Sequence, residues 1–202
     1  MPRKKKSVVQ IPDYSKRRYD VIAMGSSAGG LNALTQVLRS LPKSFPCSIV
    51  VVQHLSPERK SWIASLLGRS TQVSVKQAEH GEIMLPGTVY IAPPDEHLLV
   101  GPGKIQLAHS QLVHFSRPSI DLLFESVAGT HGSRAIGVVL SGSNSDGATG
   151  IRAIKEAGGI TIAQDPDTAE FRPMPHAAVE TGCVDFVLTL EKIGSTLIEL
   201  CA

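Results

Sequence analysis

The feature that most constrains this chain is the run Ile49-Val50-Val51-Val52 inside Ser48 to Gln53, four consecutive branched apolar residues. A run of that kind reads as a strand covered on both faces, and such strands belong to parallel sheets held between helices. Strands are also expected over Asp20 to Met24, Ala135 to Leu140, Ile160 to Ala163 and Asp185 to Leu188. Between them, helices are expected over Gly30 to Leu38, Ser61 to Leu67, Ser119 to Val127, Ala148 to Ala157, His176 to Thr181 and from Leu190 onward. Strands separated by single helices need crossover connections, so the expectation is an α/β fold of three layers. Its sheet is doubly wound and mostly parallel, with helices on both faces. From Val73 to Ala108 the rhythm changes. Gln72 to Lys76, Thr88 to Ile91, Leu98 to Val100 and Ile105 to Leu107 read as short strands, and Gly101-Pro102-Gly103 predicts a β-hairpin insertion.

Composition sets the class within which that fold operates. With 202 residues, 42% of them hydrophobic and 19% charged, the chain suits one globular domain and excludes disorder throughout its length. A net charge of +2 and an aromatic content of 4% give no support to nucleic-acid binding. The positive charge gathers in Arg3, Lys4, Lys5 and Lys6, followed by Lys16, Arg17 and Arg18, so residues 1–15 are expected to be a disordered basic tail. The folded domain is expected over 16–202. Val8 to Ile11 is too short for a secretory apolar region, and no segment is long and apolar enough to span a bilayer. Cys47, Cys183 and Cys201 form no Cys-x-x-Cys pair and fit reduced thiols in a cytoplasmic protein. The seven histidines show no metal-ligand spacing, and no metal is expected.

The sharpest local signal is Gly25-Ser26-Ser27-Ala28-Gly29-Gly30, a Gly-x-Ser-x-Gly pattern between a predicted strand and a predicted helix. Small residues on either side of Ser27 allow a sharp turn. A hydroxyl held there meets free backbone N–H groups and the positive end of the helix, which together can stabilise an oxyanion. The same turn can instead cradle a phosphate or only connect strand to helix. Against a dinucleotide site, Ser27 stands at the second glycine position of the Gly-x-Gly-x-x-Gly fingerprint, and Gln53-His54 ends the second strand where an acid is required. His54 follows the Ile49 to Val52 run and should emerge at a neighbouring strand end. An unperturbed imidazole, with a pKa of about 6.5, is suited to take a hydroxyl proton near neutrality. A structural histidine is the alternative. Asp146, in Leu140-Ser141-Gly142-Ser143-Asn144-Ser145-Asp146-Gly147, either caps the following helix or orients His54. All three residues fall at carboxyl ends of predicted strands, where sites in such sheets lie, and a triad is the economical reading. Its chain order of Ser, His, Asp differs from that of α/β-hydrolases.

These residues sit in a longer pattern: Ile22 to Gly30, Val51 to Pro57, Leu85 to His97, Arg117 to Phe124 and Gly137 to Gly150. Ala163-Gln164-Asp165, Met174-Pro175 and Gly182-Cys183-Val184-Asp185 continue it. From about Tyr19 onward the chain resembles the catalytic domain of the chemotaxis (CheB-type) protein-glutamate methylesterase family. The resemblance implies a serine hydrolase with Ser27 as nucleophile, His54 as general base and acid, and Asp146 as the residue that orients it. It further implies an oxyanion and substrate cleft near Ala28, Gly29, Ser143 and Arg117, and no cofactor. The expected reaction converts γ-glutamyl methyl esters on the cytoplasmic helices of chemoreceptors to glutamate and methanol, often with deamidation of receptor glutamines. Two departures stand out: Ala28 where the family has Thr, and Gly142-Ser143-Asn144-Ser145-Asp146-Gly147 where it has Gly-Met-Gly-x-Asp-Gly. The receiver domain of many members has no counterpart in this sequence, so the expectation is an open site or one governed by a separate regulatory protein. The rival reading, from another class, is a weakly active or non-catalytic module that docks on receptors.

Overall fold

Successive residues of the inner strands go to opposite sides of one sheet, and this alternation builds two separate cores. In β1 (Val21–Ser26), Ile22 and Met24 join one core while Val21 and Ala23 join the other; in β2 (Ser48–Gln53), Ile49 and Val51 are separated from Val50 and Val52 in the same way. Every residue of both strands is buried, as the unbroken apolar run requires. The computed structural model describes residues 19–54, 62–113 and 115–202. The expected tail over 1–15 and the start of the helix expected at Ser61 lie outside the described residues.

Seven strands form the main sheet in the order β3-β4-β2-β1-β7-β8-β9, every neighbouring pair parallel. The outer members are β3 (Ser74–Gln77), β4 (Thr88–Ile91), β7 (Ala135–Val139), β8 (Ile160–Gln164) and β9 (Phe186–Leu188). One face is covered by α1 (Gly30–Arg39), α2 (Ile63–Gly68) and α6 (Leu190–Cys201) through Leu34, Leu38, Leu67 and Leu197. The other is covered by α3 (Ile120–His131), α4 (Ala148–Glu156) and α5 (Pro173–Glu180) through Phe124, Ile151, Ile154 and Met174. The hairpin is present as a separate antiparallel pair, β5 (His97–Gly101) and β6 (Lys104–Ala108), whose Leu98, Val100 and Ile105 pack into the core that holds α3.

Two helix boundaries differ from the sequence expectation for identifiable reasons. The fifth helix begins at Pro173 rather than His176, because a proline in the first turn lacks only an N–H that has no partner there. The third runs past Val127 to His131 and stops at Gly132, whose φ of 53° leaves the helical region. Strand β1 lies between β2, which follows it directly, and β7, which arrives more than a hundred residues later. The chain therefore reverses direction across the sheet at the β1–β7 boundary, and the crevice beyond the carboxyl ends of the strands opens there.

Candidate active site

Ser27 is the first residue beyond β1, half-buried at the turn into α1. Its backbone is held from both neighbouring strands: its N–H donates to the Ser141 carbonyl at 2.9 Å, and its carbonyl accepts from Gln53 Nε2 at 2.7 Å. Gly29 closes the turn with a φ of 71°, and a Cβ there would stand 2.8 Å from Ser141 Oγ and 3.0 Å from Glu170 Cβ. Any side chain is excluded from that position on both counts. The N–H groups of Ala28 and Gly29 donate to no acceptor among the described residues, just ahead of the first turn of α1. They are oriented backbone donors beside a hydroxyl, at the end of a helix where negative charge is favoured.

His54 continues β2, its N–H donating to the Ser26 carbonyl at 3.0 Å. Because Ser26 and Gln53 are partners in the parallel register, Ser27 and His54 are the next residues on adjacent strands. His54 Nε2 lies 2.9 Å from Asp146 Oδ2. The carboxylate of Asp146 is buried and also accepts from the N–H groups of Ile120 at 2.8 Å and Asp121 at 2.9 Å, and from Ser119 Oγ at 3.2 Å. Burial pushes the Asp146 carboxyl up, but the hydrogen bonds from His54, Ile120 and Asp121 outweigh it and hold the group below its ordinary range. An ionised Asp146 makes Nε2 the protonated nitrogen of a neutral His54. Nδ1 is then the nitrogen left to accept a proton.

Asp146 therefore caps a helix, but α3 rather than the one that follows it. The reciprocal cap comes from Asp121, whose Oδ1 accepts from the N–H groups of Gly147 at 2.8 Å and Gly150 at 2.7 Å at the start of α4. Capping and orienting His54 use the same carboxylate at once.

Comparison with known proteins places the chain in a family. The sequence pattern described as CheB methylesterase matches residues 22–197. The chain belongs to the CheB methylesterase family. A Leptospira interrogans protein that carries the provisional name protein-glutamate methylesterase/protein-glutamine glutaminase is 44% identical over 90% of this chain and 95% of its own length. The protein-glutamate methylesterase FrzG of Myxococcus xanthus is 42% identical over 90% of this chain, which spans 54% of FrzG. The crystal structure of the Thermotoga maritima CheB methylesterase catalytic domain is 39% identical and superposes with a TM-score of 0.86 over 90% of this chain and 98% of that one.

The remaining cleft residues expected from this CheB methylesterase pattern are placed unevenly. Arg117 lines a crevice with His54, Asp95 and Leu112, but its guanidinium is already held by Asp95 Oδ1 at 2.9 and 2.6 Å and by the Ser110 carbonyl. Ser143 is exposed. Beside Ser27, an open cleft of about 520 Å³ is lined by Gly29, Leu31, Asn32, Thr35 and Ile63. Sequence reasoning missed Gln53, Ser119 and Asn144. In the sequence Gln53 counts only as a strand end without the acid of a dinucleotide site, yet it is a buried bracket: its Oε1 accepts from Ser26 Oγ at 2.6 Å, and its Nε2 donates to the carbonyls of Ser27 and His54 at 2.7 and 3.0 Å. A polar residue closing an otherwise apolar strand was its available signal.

Proposed function

We propose that this chain is a protein-glutamate methylesterase that uses Ser27, His54 and Asp146 as a catalytic triad. The observation that carries the reading is the 2.9 Å contact from His54 Nε2 to a buried, amide-held Asp146, with Ser27 next in register on the adjacent strand. Its substrates are γ-glutamyl methyl esters on the cytoplasmic helices of chemoreceptors; the names of the relatives support protein-glutamate methylesterase activity and, in some of them, protein-glutamine glutaminase activity as well. The cytoplasm is the compartment in which those helices are found. Among the described residues no helix is long and apolar enough to cross a membrane.

In this mechanism Ser27 Oγ attacks the ester carbonyl carbon while His54 Nδ1 takes the hydroxyl proton. The carbonyl π electrons move to oxygen, and that oxyanion sits against the N–H groups of Ala28 and Gly29. Asp146 stabilises the imidazolium without taking its proton. As the tetrahedral intermediate collapses, the C–OCH₃ bond breaks and His54 returns the proton to the departing oxygen, so methanol leaves. A γ-glutamyl ester of Ser27 remains. Water then adds to that ester with His54 again as base, and the free glutamate and Ser27 hydroxyl are restored. With backbone N–H donors in the oxyanion site, Ala28 in place of a threonine removes no main-chain donor. Labelling by a fluorophosphonate tests the assignment: adduct on Ser27, lost in His54→Gln, is the expected result, and an unlabelled Ser27 in the active protein overturns it.

A further inference from the structure

Asn144 reaches the reacting nitrogen of the proposed base. Its Nδ2 lies 3.4 Å from His54 Nδ1, while its Oδ1 accepts from the Asp146 N–H at 3.2 Å. The second contact settles the orientation of the amide, because turning it over would set two N–H donors against each other. The first then requires Nδ1 to be an acceptor, the same tautomer that Asp146 imposes through Nε2. Asn144 stands where the family motif carries its second glycine, which has no side chain to place there.

We propose that Asn144 caps the catalytic base between turnovers, donating its amide to the Nδ1 lone pair that Ser27 must use. The inference rests on the reading of His54 as the base. A donor at Nδ1 stabilises the neutral ring, and protonation would place N–H against N–H, so the cap opposes uptake of a proton by His54. Catalysis requires that same uptake from Ser27, and Asn144 has to withdraw when the serine engages. At 3.4 Å the bond is long and readily released. Among the described residues, the other charged groups beside the ring are Asp146 at Nε2 and the Arg117–Asp95 pair in the crevice next to it. None of these takes the Nδ1 position.

The test compares wild type, Asn144→Ala and Asn144→Asp for methanol release from a γ-glutamyl methyl ester peptide, with kcat/KM followed from acid to alkaline pH. Removing the donor should move the acid limb up by about half a pH unit. Placing a carboxylate beside Nδ1 should move it up by about one unit or more. A residue that only shapes the loop would change the plateau and leave the limb in place. Superposable limbs in the three folded proteins overturn the cap. If Asn144→Ala fails to fold, Asn144→Asp, which keeps an oxygen for the Asp146 N–H, carries the comparison. Ser27→Ala in the same series separates the two readings: undiminished turnover there overturns the serine mechanism. Nitrogen NMR of His54 in the free protein still reads the cap, and identical Nδ1 resonances in wild type and Asn144→Ala overturn it independently of activity.

Discussion

Asp146 serves two purposes through a single carboxylate, and the consequence is a separable pattern of losses at the level of single residues. Ser27→Ala removes only a half-buried hydroxyl that makes no hydrogen bond among the described residues, so the fold should be kept while methanol release falls by about four orders of magnitude or more. Near-normal release from the folded variant would rule out a serine nucleophile. His54→Gln and Asp146→Asn should each lower turnover by orders of magnitude, and either change added to Ser27→Ala should lower it little further, because triad members act as a unit. Multiplicative losses on the same substrate would leave Asp146 as a helix cap alone. The stability of these variants should divide differently: His54→Gln is nearly neutral, whereas Asp146→Asn weakens four hydrogen bonds and lowers the thermal midpoint.

At the level of elements, the strand ends are fastened to one another by buried polar side chains as well as by the main-chain ladder, and Gln53 supplies the side-chain fastening between the ends of β1 and β2. Gln53→Ala leaves Ser26 Oγ buried without its acceptor, which should cost about 1–3 kcal/mol by denaturant unfolding. It should also lower kcat about tenfold or more through misplacement of Ser27 against His54, and an unchanged kcat would show that the register alone fixes the pair. These fastenings explain where sequence reading succeeded and where it stopped. Strand β2 and the alternation of strands with helices were legible because the physical cause is local: a run of Ile and Val buries itself on both faces wherever it occurs. The placement of Ser27 and His54 was legible because each directly follows a strand, and that of Asp146 because it lies in the loop that leaves β7; strand ends can be counted along the chain. Gln53, Ser119 and Asn144 were not, because their roles depend on contacts made 26 to 90 residues away. The spacing of a chain does not encode which polar side chain crosses from one strand end to the next. The alternative reading of Asp146 as a cap on the helix that follows it differs from the structure for the same reason: the local rule points to α4, and the tertiary contact goes to α3.

For the whole molecule, two carboxylates, the buried Asp146 and the more exposed Asp185, link folding to acid. The Asp146 carboxyl lies below its ordinary value of 3.8 in the folded protein, since burial, which raises it, is outweighed by His54 and the two amides. Asp185 is also held below 3.8: burial raises it, and the hydrogen bonds from Lys155 and Thr161 more than compensate. Unfolding releases both groups to take up protons at a higher pH than the folded state does. Stability from these groups is therefore fully present above about pH 5 and is lost progressively as pH falls through 3.8 toward the folded values. Asp146→Asn removes one of the two linked groups, so its midpoint should lie several degrees below wild type at neutral pH, with the gap narrowing as the medium is made more acid. The slope that remains in Asp146→Asn should shrink again in Asp146→Asn/Asp185→Asn. Thermal unfolding followed by circular dichroism at a series of pH values measures all three proteins. A gap between wild type and Asp146→Asn that stays constant down to acid pH would mean that the Asp146 carboxylate is not stabilised by its His54 and α3 partners. With its pKa held below 3.8, the Asp146 carboxyl is ionised above about pH 5, so a decline in rate above that region reports a group other than Asp146.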